Sequence, residues 1–398
     1  MKALSNITVL DLTHVLAGPY GAMLLADLGA RTIKIEPPGG DLTRNLLAND
    51  PKHSHNGMGA YSLVLNRNKE SICIDLKKKE GISLFYDLVA KADVIFDNFS
   101  AGVTKRLKID YSHLSAINSR IITCSVTGFG HTGPGCDRTA FDLVVQAGGG
   151  GMSITGTDDS SPVRAGIPIG DIGGGLLGAI GVLAALHARE QTGRGQHVDI
   201  AMLDGQISFL NYMAGMFLLS GEGPGALGNQ HFLHVPYNAY STKTRHIIIA
   251  IITDESWSSL VKVLGEQRLE NPDFSGQPGR WKHREFIDKV ICENLLTDTC
   301  ENWMEKFKMA RIPHGPVNDL SHALSDEQIL FRNMVVEVRH PDGGIIRMPG
   351  NPIKLSDTHE ETFSSPPLCG QHTDAILTEL LNLSAEQLAK LRTSQAIS

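Results

Sequence analysis

The chain has 398 residues, 41% of them hydrophobic and 20% charged, with a formal net charge of −7 at pH 7. That length exceeds one ordinary core and allows two or three domains, while the mild negative charge offers no basic field to a nucleic acid backbone. No charged segment followed by an apolar run and a small-residue cleavage site opens the chain, and no uncharged apolar run reaches the roughly 18–20 residues of a membrane helix, so a cytoplasmic protein with no membrane partner is expected.

From residue 7, ITVLDLTHVLAGPYGAMLLADLGARTIKIEPP reads as a short strand, a Gly-Pro turn, an amphipathic helix and a second strand over 31–35, stopped by Pro37 and Pro38. Strand-like runs recur at 71–76 (SICIDL), 92–99 (ADVIFDNF) and 120–126 (RIITCSV), with helical patterns between them. This alternation predicts an α/β, Rossmann-like domain with a parallel sheet covered on both faces. RAGIPIGDIGGG at 164–175 leads into LLGAIGVLAALHARE, a buried helix ending near Gly193, and a second apolar helix is expected over roughly 199–219. After the Gly-Pro-rich SGEGPGALGNQ, a strand over 245–253 and further helices suggest a smaller α+β domain. The expected division is a large domain of 1–200 and 335–398, a small domain of 226–325, and linkers at 201–225 and 326–334. An amphipathic helix over 373–391 closes the chain.

The cysteines at 73, 124, 136, 292, 300 and 369 are far apart, and the 16 histidines lack ligand spacing. Neither a metal site nor a disulfide framework is expected. Asp171 is the most informative carboxylate, and two readings stay open. It is an N-cap, since Asp satisfies the free N–H groups of a helix start. Alternatively it is a nucleophile. A cap needs no run of Gly173, Gly174 and Gly175, each costing about 1 kcal/mol relative to alanine within a helix; a glycine-rich turn would leave backbone N–H donors open to an oxyanion or ligand. Phosphate cradling fails on detail: no Gly-x-x-x-x-Gly-Lys-Ser/Thr is present, and the first strand is followed by VLAG at 15–18 instead of Gly-x-Gly-x-x-Gly.

Several segments together resemble the class III CoA-transferases: VLDLTHVLAGPYGAMLLADLGARTIKIEPPGGD (9–41), NRNKESICIDLK (66–77), DNF (97–99), SVTGFGHTGP (125–134), PVRAGIPIGDIGGG (162–175) and GRGQHVDIAMLD (193–204). RIPHGPVNDL (311–320), RMPGNPIKLS (347–356) and PPLCGQHT (366–373) extend the likeness over nearly the whole chain. The family includes formyl-CoA:oxalate, carnitine and dicarboxylate CoA-transferases, with α-methylacyl-CoA racemase as a relative. The resemblance implies that Asp171 attacks an acyl-CoA thioester to give a mixed anhydride and then an aspartyl-CoA thioester, with no metal or tightly bound cofactor. It implies CoA contacts at His14, Val15, Leu76, Lys77, Asn98, Phe99 and Arg106, backbone donors at Gly173–Gly175, and an interlocked homodimer.

Departures narrow the substrate. Leu16 stands where formyl-CoA:oxalate enzymes have Gln, and IITDES (251–256) where they have a run of glycines. Ala140, Phe141 and Asp142 stand at the racemase His-Asp pair, and Phe141 accepts no proton. The remaining resemblance is to enzymes that use succinyl-CoA or acetyl-CoA with a small dicarboxylate such as oxalate, glutarate or itaconate. Arg164 is a candidate partner for the second carboxylate, with an ordinary salt bridge as the alternative. A racemase-like enzyme, a formyl-CoA:oxalate transferase and a non-catalytic acyl-CoA-binding protein are the competing readings.

Overall fold

The computed structural model describes residues 2–158, 161–358 and 362–398; Asp159, read from sequence as a surface-loop residue, lies outside them. The chain divides into two compact units, the first of residues 1–151, 164–211 and 330–398, the second of 152–163 and 212–329. The segment 152–163 thus leaves the large domain expected from sequence, and neither expected linker stands apart: 201–211 and 330–334 join the first unit, 212–225 and 326–329 the second.

In the first unit, β1 (Thr8–Asp11), β2 (Arg31–Glu36), β3 (Lys69–Cys73), β4 (Val94–Asp97), β5 (Ile122–Thr127) and β6 (His197–Ala201) form one sheet. Their spatial order is β3-β2-β1-β4-β5-β6, and every pairing is parallel. Alternate residues face opposite sides, as the strand period of two requires. Leu10, Ile33, Ile72 and Ile95 enter a core with Phe85 and Leu88 of the helix Lys79–Val89 and with Ile376 and Leu377 of the chain's tail. Val9, Val94, Phe96 and Val126 enter a second core with α1 (Ala17–Asp27) and the long helix α2 (Ile169–Thr192). The strand order runs outward from β1 through β2 to β3 and then returns to β4 beside β1. The loops after β1 and β4 therefore diverge at a topological switch point, where open α/β sheets bind ligands.

Helix α2 starts earlier than the sequence pattern suggests and ends at Gly193, whose φ of +70° closes it as a left-handed C-cap. By length and composition α2 is apolar enough to cross a membrane, with mean hydropathy 1.8 over 18 residues and half of that window buried inside the protein; its uncharged run, 172–188 between Asp171 and Arg189, stays short of the expected threshold. A single helix over 199–219 does not form. Residues 197–201 instead pair with β5 as the edge strand, followed by α3 (Met202–Leu210) and, past Asn211 at φ +47°, α4 (Tyr212–Ser220).

The second unit is α+β. Its antiparallel sheet places His246–Ala250 between Tyr237–Ser241 and His314–Pro316. Ile247 and Ile249 pack with Trp257, Leu260, Val290, Ile291, Trp303 and Phe307 of the surrounding helices.

Candidate active site

The loop after β1 is fixed from below by buried charge. Asp11 is fully buried, with one carboxylate oxygen accepting from Lys69 Nζ at 2.7 Å and the other from the Thr13 amide at 2.9 Å. Lys34 Nζ donates to the Thr13 carbonyl at 2.7 Å and to Asp41 Oδ2 at 3.1 Å. Burial pushes the Asp11 carboxyl up, but the Lys69 and Lys34 charges and the hydrogen bonds from Lys69 and Thr13 together outweigh it and hold it below the usual carboxylate range. On this footing Val15 adopts φ +65°. A β-branched residue in the left-handed region is strained, and such strain persists only where the surroundings impose it.

The loops after β1 and β4 are clamped reciprocally. The His14 amide donates to Asn98 Oδ1 at 2.9 Å, and Asn98 Nδ2 donates to the His14 carbonyl at 2.8 Å. The His14 ring lies 5.6 Å from that of Phe99, and burial lowers its pKa, favouring the neutral imidazole. Between these loops opens a cavity of about 240 Å³, lined by residues 14–17, 98–101, 126–129 and 138–141 together with Cys136, Asp171 and Met202. Ala17 is the first residue of α1, so the positive end of that helix dipole meets the cavity wall.

Asp171 is the third residue of α2 and half-buried. The N-cap reading is excluded: Pro168 occupies that position, and the Asp171 side chain makes no capping bond. The free amides are taken instead by Asp142, whose Oδ1 accepts from Gly170 N at 2.8 Å and Asp171 N at 3.3 Å. Asp142 Oδ2 accepts from Gln146 Nε2 at 2.7 Å, and Gln146 Oε1 accepts from the Ala165 amide at 2.9 Å, so one side-chain chain fixes the entry to α2. Among the described residues no hydrogen bond or ion pair reaches the Asp171 carboxylate. Burial, and secondarily the nearby Asp142 charge, raises its pKa to about 6.

Gly173, Gly174 and Gly175 lie inside α2, where an amide bonds the carbonyl four residues earlier. They are not an open donor loop. A Cβ on Gly173 would stand 2.2 Å from Phe209, one on Gly174 2.9 Å from Met202, and one on Gly175 2.3 Å from the Ala17 carbonyl oxygen. The glycines let α1, α3 and β5 approach α2 closely, which explains the triplet without an oxyanion.

Of the expected CoA contacts, His14, Val15, Asn98 and Phe99 line the cavity with Asp171, whereas Leu76, Lys77 and Arg106 do not. Leu76 packs against the core on the sheet's other face; Lys77 and Arg106 are exposed. Arg164 is also outside the lining, donating to the carbonyls of Ala165 and Gly166 at 3.0 and 3.2 Å. Sequence reasoning missed Arg138, the one Lys or Arg on the cavity wall among the described residues, whose guanidinium sits 4.1 Å from the centre of the Phe129 ring. Its place in a loop of turn residues, HTGPGCDRT, gives no periodic signal. Two groups bring three metal-capable atoms within 4.8 Å, His55, His340, Asp342 and His131, His197, Asp199, which sequence spacing also missed; neither lies on the cavity wall.

A doubly wound parallel sheet with a cavity at its switch point and an unpaired carboxylate on the cavity wall defines an α/β protein built to hold a ligand there. The chain belongs to CoA-transferase family III, whose profile matches residues 4–373. It is similar to the succinyl-CoA:glutarate CoA-transferase of Mus musculus, 34% identical over 100% of this chain and 91% of that one. It is likewise similar to the acetyl-CoA:oxalate CoA-transferase of Acetobacter aceti, 37% identical over 89% and 90%. Among solved structures, a CAIB/BAIF family protein from Brucella suis is 34% identical and superposes with a TM-score of 0.86 over 95% of this chain and 99% of that one. The protein is thus a CoA-transferase that takes CoA thioesters as substrates.

Proposed function

We propose that the protein moves CoA from succinyl-CoA or acetyl-CoA to a small dicarboxylic acid, with Asp171 as covalent nucleophile. The names of its relatives support the substrate class. The observation that carries the mechanism is the Asp171 carboxylate itself: half-buried, unpaired and on the wall of a cavity at the switch point.

The ionised Asp171 attacks the thioester carbonyl carbon, and the C–S bond breaks to give a mixed anhydride and CoA thiolate. The thiolate attacks the Asp171 carbonyl, releasing the donor acid and leaving an aspartyl-CoA thioester. The acceptor carboxylate attacks that thioester to form a second anhydride, and the returning thiolate takes the acceptor acyl group and frees Asp171. One carboxylate replaces another at each stage, so the exchange is nearly thermoneutral. The α1 dipole end at Ala17 faces the developing oxyanion in place of the Gly173–Gly175 amides. Arg138 holds the second carboxylate of the acceptor, a role its position favours over Arg164. The cavity, about 240 Å³, accommodates the reacting end of CoA beside His14, Val15, Asn98 and Phe99. The nucleotide end extends outside it, where Leu76, Lys77 and Arg106 are the contact candidates.

Labelled succinate mixed with succinyl-CoA tests this reading: a covalent transferase scrambles label into the thioester, whereas a CoA-binding protein does not. Hydroxylamine added during turnover should convert Asp171 to a hydroxamate, detected as a mass change on the tryptic peptide 165–189. Asp171→Asn should lower exchange by at least about a thousandfold while CoA binding persists. Substantial activity in that variant, or a hydroxamate elsewhere, overturns the assignment.

A further inference from the structure

The tail of the chain lies against β3 through a set of bonds that fix its register. Gly370 N donates to Ser71 Oγ at 2.8 Å, His372 N to the Ser71 carbonyl at 2.8 Å, and Cys73 N to Thr373 Oγ1 at 3.2 Å; Ser71 N donates to His372 Nδ1 at 3.0 Å. Within this register the sulfurs of Cys73 and Cys369, 296 residues apart in sequence, stand 3.2 Å from one another. Both are free thiols, Cys73 buried and Cys369 exposed. No other pair of cysteine sulfurs makes such a contact among the described residues. Glycines hold the pair closely: a Cβ on Gly370 would stand 3.0 Å from Cys73 Sγ, and one on Gly40 3.0 Å from Cys369 Sγ.

We propose that Cys73 and Cys369 are a specific oxidative modification site, closing to an intrachain disulfide when the protein meets a peroxide. The backbone is already placed, so the sulfurs need close only from 3.2 Å to the roughly 2.05 Å of a bond. Hydrogen peroxide oxidises one thiol to a sulfenic acid with release of water. The second thiol then attacks that sulfur, its proton and the sulfenic hydroxyl leave as a second water, and the S–S bond forms. The shared hydrogen bond draws the Cys73 thiol down to about 7 and pushes the Cys369 thiol up, so the thiolate of the pair sits on Cys73. Exposure of Cys369 gives the oxidant a way in. Oxidation joins the C-terminal tail covalently to β3, three residues before Leu76.

The test treats the full native chain with hydrogen peroxide, blocks remaining thiols with an alkylating agent and digests it without reduction. Peptides 70–77 and 355–390 should appear joined, about 2 Da lighter than their sum. Four of the six thiols should remain titratable, dithiothreitol should restore all six, and the oxidised chain should unfold roughly 5 °C higher. Cys369→Ser should abolish the linked peptide. Recovery of Cys73 and Cys369 as unlinked thiols, their separate oxidation to sulfinic acids, or linkage only between two chains overturns the proposal.

Discussion

Asp171 carries its charge at a cost. Its folded pKa of about 6 exceeds the ordinary 3.8, so the ionised form destabilises the fold increasingly as pH rises from about 4 to 6 and uniformly above. Exchange by the proposed mechanism, by contrast, needs the ionised form. The kcat/KM profile should rise with pH through a midpoint near 6, and Asp171→Asn should melt higher than the parent by a margin that grows between pH 4 and pH 7. A constant margin would remove burial as the cause. Asp142 supplies part of the same shift while capping α2. Asp142→Asn keeps an acceptor for Gly170, removes the charge and loses the Gln146 contact, so the midpoint of the pH profile should fall below that of the parent. A change in stability alone would leave the midpoint in place. Arg138→Ala should raise KM for a dicarboxylate acceptor by roughly tenfold or more with a smaller change for acyl-CoA; equal effects on both would assign Arg138 to CoA instead.

The apolar runs that form β1, β2, β4 and β5 are legible in sequence because their residues enter a core on each face and so leave no polar alternation to confuse them. HVDIA at 197–201 was not legible as β6: it is an edge strand with exposed His197 and Asp199, and the apolar residues after it continue a helical pattern. The glycine triplet was misread for a different reason. Its meaning depends on what stands where a Cβ would reach, and α1, far earlier in the chain, is invisible to a local reading. Whether Asp171 caps α2 was not legible, since Asp before glycines equally describes a cap, and only the structure places Pro168 at that position. At this scale Gly175→Ala is the decisive change, for its methyl would meet the Ala17 carbonyl at 2.3 Å. The overlap should cost about 1–3 kcal/mol. Because Ala17 lines the cavity, exchange should fall along with Tm, whereas a purely structural contact would lower Tm alone.

The whole molecule raises two matters of organisation. Family resemblance supports an interlocked dimer, and sedimentation should give twice the 43.1 kDa chain mass; a monomer would refute it. The second concerns the route of the chain. It leaves the first unit at 151 and re-enters at 164, seven residues before Asp171, and the excursion is tied by a bridge between Thr157 and Leu227 within the second unit. In the language of protein engineering, the two units are therefore not separable cassettes. A chain cut after residue 211 would keep every strand of the parallel sheet yet lose the tail's Ile376 and Leu377 from the core and carry residues 152–163 without their partner. Recombination between relatives must then exchange the second unit as two pieces at once, and single-crossover chimeras should lose stability in both units.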